Sequence, residues 1–135
     1  MHPPSVFDQL LQAAAAQPEP QRLLFVFAAA ELPDDATPAQ RQRFAAGAGG
    51  ALAPVCCVDK GLEELADFEQ LVAQSHAAGP PWHVVFAAGL AGGGGRPPSA
   101  QQVQRALEAM VERVRSGMIG NLLALAPSGE ALYFV

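Results

Sequence analysis

The sequence predicts one α/β domain over residues 1–135: a mixed sheet of about five strands, with a parallel core and a C-terminal antiparallel hairpin, flanked by helices. Three observations lead there. Residues 23–28 are an apolar run without alternation, the pattern of a strand covered on both faces, and residues 82–88 read as a further strand. Helix-start signals stand between the runs. The last residues place two apolar stretches around Pro127-Ser128-Gly129-Glu130, a turn that reads as a hairpin.

The first helix starts at Ser5, which with Asp8 makes a capping box. Phe7, Leu10, Leu11 and Ala14 recur at helical spacing behind it, and Pro18 and Pro20 close it near Gln17. The run at 23–28 is the first strand. Thr37-Pro38-Ala39-Gln40 then opens a short helix, with proline at its first helical position, and Gly47, Gly49 and Gly50 end it.

The second strand, residues 52–58, contains Pro54. Proline cannot donate to a central ladder, so this strand lies at an edge, begins after Pro54, or bulges there. Asp59 is placed to cap the next helix, whose Leu62, Leu65, Phe68, Leu71 and Val72 face inward and which Gly79-Pro80-Pro81 stops. After the third strand, Gly92 to Arg96 and two prolines form a loop. Ser99 and Gln102 then make a capping box for the most regular helix. Its stripe is Val103, Ala106, Leu107, Met110, Val111, Val114 and Met118. The expected order is α-β-α-β-α-β-α-β-β.

Composition narrows the function classes. Thirteen acidic residues against eight basic ones give a net charge of −5, and the bases, seven arginines and Lys60, are scattered singly. A polyanion would be repelled, so nucleic acid and anionic membrane are not expected partners. No run approaches the ~18 apolar residues of a membrane span, and Met1-His2-Pro3-Pro4 lacks signal-peptide character, so a cytoplasmic location is expected. Cys56 and Cys57 are sequence neighbours, whose mutual disulfide would strain the peptide between them. In a strand they point to opposite faces and read as small buried hydrophobes rather than a redox pair. His76 and His83 read as buried or half-buried histidines hydrogen-bonded to backbone. No metal site or cofactor is expected, because no ligands fall at metal spacing.

One constellation stands above the rest. With the first three strands parallel, their carboxyl ends bring Glu31, Asp34 and Asp35, then Asp59 and Lys60, then Gly93, Gly94 and Arg96 to one rim, where open α/β sheets bind ligands. Asp59 and Glu31 are the acid/base candidates there, Lys60 and Arg96 the anion holders, and His83 falls at the opposite rim.

The runs 17–27, 31–38 and 57–60 (QPEPQRLLFVF, ELPDDATP and CVDK) resemble a family of small proteobacterial proteins that carry the name ribonucleotide reductase subunit alpha. That name implies at most an accessory of nucleotide reduction. The reductase's catalytic subunit resembles a far longer barrel with a radical cysteine and a separate redox pair, which two adjacent cysteines cannot supply. The leading expectation is a small binding or interaction protein, followed by an enzyme or ligand sensor using the polar rim. The apolar end, Leu132-Tyr133-Phe134-Val135, adds an expected homodimer through the C-terminal hairpin, with Leu132 and Phe134 at its centre.

Overall fold

The computed structural model describes residues 5–31, 37–45 and 51–133. Its elements are α1 (Val6–Ala15), β1 (Gln21–Glu31), α2 (Pro38–Ala45), β2 (Ala51–Gly61), a 3₁₀ turn (Leu62–Glu64), α3 (Phe68–Ala78), β3 (Val84–Ala91), α4 (Ala100–Ser116) and β4 (Leu123–Leu125). The strands form one open sheet in the order β2-β1-β3-β4.

Every neighbouring pair in this sheet is antiparallel, which corrects the expected parallel core. A parallel neighbour needs a crossover helix whose apolar face packs on the sheet. Among the described residues between β1 and β2 the only helix is α2, PAQRQRFA, which has no apolar stripe. The chain instead returns beside β1. β2 and β3 both run against β1 and therefore parallel to each other, with α3 crossing between them and β1 inserted in the middle.

β1 is central, and its residues Leu23, Leu24, Phe25, Val26, Phe27 and Ala28 are all buried because helices cover both faces of the sheet. Leu23, Phe25 and Phe27 pack with Phe7 and Leu71, on the side of α1 and α3. Leu24 and Val26 pack with Val103, Met110 and Val114 of α4. Aromatic rings dominate the first layer: Phe7 lies 5.3 Å from Phe68, and Phe27 lies 5.0 Å from Trp82, centroid to centroid. Each fully buried Phe contributes about 1.5–3 kcal/mol by removal from water.

The capping boxes form as expected. Ser5 with Asp8 opens α1, and Ser99 with Gln102 opens α4. Gly117, at φ 79°, ends α4, so Met118 falls outside the stripe and is exposed. Pro54 is accommodated in two of the three foreseen ways at once. β2 is an edge strand, and its register with β1 shifts between Phe27/Ala28, leaving Val55 as the extra residue of a bulge. β2 also runs to Gly61, so Asp59 is a strand residue and not a helix cap. Asp67 caps α3, accepting from the Gln70 N–H at 2.8 Å.

At the C-terminal end the hairpin turn forms, with the Ala126 N–H donating to the Glu130 carbonyl and the Leu132 N–H to the Ala124 carbonyl. Beyond it, a single bridge joins Leu125 and Ala131, so among the described residues the sheet has four strands rather than five. Leu132 is half-buried against the α4 layer. Phe134, the other residue of the expected dimer contact, lies outside the described residues.

Candidate functional site

The expected rim divides. Glu31 closes β1 opposite Ala51, whereas Asp59 stands opposite Leu24. At ~3.3 Å per residue the two are roughly 23 Å apart along the strand. The carboxyl ends of β2 and β3 do gather at one end of the sheet, because Arg22 pairs with both Gly61 and Leu90. Asp59, Lys60, Gly93, Gly94 and Arg96 therefore share that end, and Glu31 is at the other. Asp34 and Asp35 lie outside the described residues. His83 lies away from Asp59, Lys60 and Arg96 as expected, but it shares its end of the sheet with Glu31, which corrects the expectation that the two stand at opposite rims. Its Nδ1 accepts the Ala30 N–H at 2.9 Å, as expected of a backbone-bonded histidine, but His83 and His76 are both exposed, which corrects the expectation that they are buried or half-buried.

The residues that share an end do not share a surface. The Gly92–Arg96 segment is a tight turn closed by a Gly93–Arg96 bridge, with Gly94 at φ 61° and Gly95 at φ 79°. Only glycine adopts two such conformations in succession at little cost. The Gly95 N–H donates to Glu19 Oε2 at 2.8 Å, so a carboxylate of the same chain already occupies the place a phosphate would take.

Asp59 and Lys60 are neighbours in a strand and point to opposite faces. Asp59 shares the α4 face with Arg22, a residue the sequence reading did not single out. The Arg22 guanidinium hydrogen-bonds Asp59 and lies 3.2 Å from Glu64 Oε1. It is held charged, chiefly by the bond to Asp59. The Glu64 carboxyl is held below the usual carboxylate range, first by the Gly61 N–H that donates to it at 3.0 Å and then by the Arg22 and Lys60 charges. Arg22 and Asp59 sit at one side of a 480 Å³ cleft that reaches Pro97, Val103 and Leu107. The Arg22 guanidinium in its wall is already engaged by the two carboxylates of Asp59 and Glu64.

The opposite face of β2 carries a second cleft, of 390 Å³, between the edge strand and α3. Phe27 and Leu71 are at its floor. Cys56, Val58 and Lys60 line the strand side, and Gln74, Ser75 and Ala78 the helix side. The strand residues share this face because they stand opposite Phe27, Phe25 and Leu23. Cys57 also lines the cleft, although its register with Val26 turns its side chain to the other face. The cleft therefore reaches the backbone of β2 at Cys57.

Ser75 is the only polar residue among the buried ones described. It accepts the Trp82 indole N–H at 2.7 Å and donates to the Val72 carbonyl at 2.6 Å. His76 stacks on the same indole, with centroids 5.7 Å apart. The sequence signal for this wall was Ser75 four residues after Leu71, a hydroxyl on an otherwise apolar helix face. Cys56 is half-buried here, and burial first, then the neighbouring Cys57, pushes its thiol pKa up. Cys57 is exposed, which corrects the expectation that both thiols are buried. An edge strand has neighbours on one side only, so a side chain there is covered only if a helix overhangs it.

Among the described residues no cluster of His, Cys, Asp or Glu is arranged to hold a metal, and no helix is long and apolar enough to cross a membrane. No protein-family model matches this chain, and no curated protein or solved structure matches it either.

Proposed function

We propose that this protein is an interaction module that receives an extended peptide segment along the outer edge of β2. The observation that carries the reading is the edge itself. β2 is 11 residues long and pairs only with β1 among the described residues. Strand edges present backbone N–H and C=O groups in a row, and native proteins guard them. Here Pro54 and the bulge at Val55 guard the first half of the strand. The half from Cys56 onward has neither proline nor bulge, carries its charges, Asp59 and Lys60, near its end, and borders the α3 cleft. An edge strand beside a helix, with a groove between them, is the arrangement in which strand addition supplies affinity through the backbone and side-chain pockets supply selectivity.

The competing reading, an enzyme or sensor at a polar rim, loses its acid/base pair because Glu31 and Asp59 lie at opposite ends of the sheet. The test uses capped seven-residue strand-forming peptides of varied charge, titrated to millimolar concentration and followed by fluorescence anisotropy. A strand adds through alternate N–H groups. Methylating one set of alternate backbone nitrogens should abolish binding, and methylating the other set should leave it intact. Equal binding of both methylated forms would overturn strand addition.

A further inference from the structure

We infer that the segment β2 receives comes from another protein and carries an apolar side chain two positions from a carboxylate, the apolar group entering the α3 cleft and the carboxylate facing Lys60. The inference rests on the strand-addition reading and adds the partner's chemistry to it.

Cys56, Val58 and Lys60 follow one another at a spacing of two on one face of the strand, about 6.6 Å apart. A strand laid beside them places its own side chains at the same spacing. The residue opposite Val58 meets a cleft floored by Phe27 and Leu71, and the residue two positions along stands opposite Lys60. Among the described residues no acidic one lines this cleft, and Lys60 is the one charged group in its wall. Lys60 has no carboxylate within salt-bridge distance among the described residues, whereas Arg22 on the other face is engaged by two. The net charge of −5 does not cancel this local preference, because charges beyond ~8 Å are largely screened at physiological salt.

The same placement argues against a second copy of this chain. Two β2 edges paired about a two-fold axis perpendicular to the sheet would match like faces. The α3 face of β2 offers Cys56, Val58 and Lys60 but no carboxylate, since Asp59 points to the α4 side. A symmetric pair would leave both lysines unanswered.

The experiment uses the full chain and the capped peptide Thr-Glu-Thr-Val-Thr-Glu-Thr, which has an acid two residues to either side of the valine and so serves both strand directions. Its counterparts replace both acids by lysine or by glutamine. Opposite charges directly across a strand pair favour binding modestly, so the acidic peptide should bind about two- to fivefold more tightly than the glutamine form. The lysine form should be weakest. Lys60→Gln should erase the order and Lys60→Glu reverse it, with circular dichroism reporting the fold of each. Ala78→Phe, on the exposed surface of α3, should fill the cleft and remove the advantage of valine over alanine at the central position. If the peptides bind in a backbone-dependent way but without regard to charge, the inference is overturned and strand addition stands. If no peptide binds at millimolar concentration, strand addition itself falls. A concentration-dependent dimer that peptide dissolves would make the occupant a second copy and likewise overturn the inference.

Discussion

Removing one hydroxyl, with Ser75→Ala, tests the wall of the α3 cleft. Ser75 is 8% exposed and Trp82 4%, so the indole N–H has no ready access to water. Without Oγ, that N–H is left without its acceptor in apolar surroundings, at a cost of about 1–3 kcal/mol. Alanine is the better helix former and returns about 0.5 kcal/mol. The orphaned donor outweighs this, for a net loss of about 0.5–2.5 kcal/mol and a fall in melting temperature of roughly 2–10 °C for a domain of this size. Size alone would not identify the cause, so the change is repeated in a Trp82→Phe background, where no N–H exists to be orphaned. There Ser75→Ala should cost less than about 0.5 kcal/mol, which makes the coupling about 1–2 kcal/mol. Urea unfolding followed by far-ultraviolet circular dichroism suits all four proteins, because the only tryptophan is lost in two of them. An equal cost in both backgrounds would show that the hydrogen bond does not hold this wall.

Three further outcomes are expected. Met110, 4% exposed beneath α4, should not tolerate Met110→Asp, since an unpaired buried carboxylate costs several kcal/mol, on the order of 4, and a normal melting temperature would contradict the α4 packing. A thiol reagent should label native protein in two phases, exposed Cys57 first and half-buried Cys56 much later, as mass spectrometry of the labelled peptide would resolve. Glu64, whose folded carboxyl lies below its unfolded value of about 4.3, should stabilise the fold fully above that pH and lose its contribution as pH falls below it. Glu64→Gln should therefore be less stable than the parent at pH 7, with the gap in urea midpoint closing on acidification.

Much of the fold was legible because each signal had a local cause. Ser5 with Asp8 and Ser99 with Gln102 cap their helices as written, and Val103, Met110 and Val114 are buried as their spacing required. Pro54 announced an edge and a bulge, and the register contains both. Strand direction was not legible from the apolar runs. Residues 23–28 report that both faces are covered, which helices achieve equally well over antiparallel strands. The discriminating residues were elsewhere, in the polar Pro38–Ala45 helix that cannot serve as a packed crossover. That one misreading moved Glu31 to the wrong end of the sheet and dissolved the expected rim. Arg22 was overlooked because it stands at the polar margin of an apolar strand, yet its parity with Leu24 and Val26 puts it on the α4 face beside Asp59. The α3 cleft joins Phe27 with residues of β2 (Cys56, Val58 and Lys60) and of α3 (Leu71, Ser75 and Ala78), whose proximity depends on strand order rather than on any local pattern.

Residue-resolved amide hydrogen exchange on β2, with and without the Thr-Glu-Thr-Val-Thr-Glu-Thr peptide, tests the edge most directly. In the free protein the outward amides from Cys56 to Lys60 should exchange far faster than those of central β1, which has a partner on each side. Bound peptide should slow these same amides while leaving the Gly93–Arg96 turn unchanged. Protection that appears at that turn, or anywhere but β2, would contradict the account.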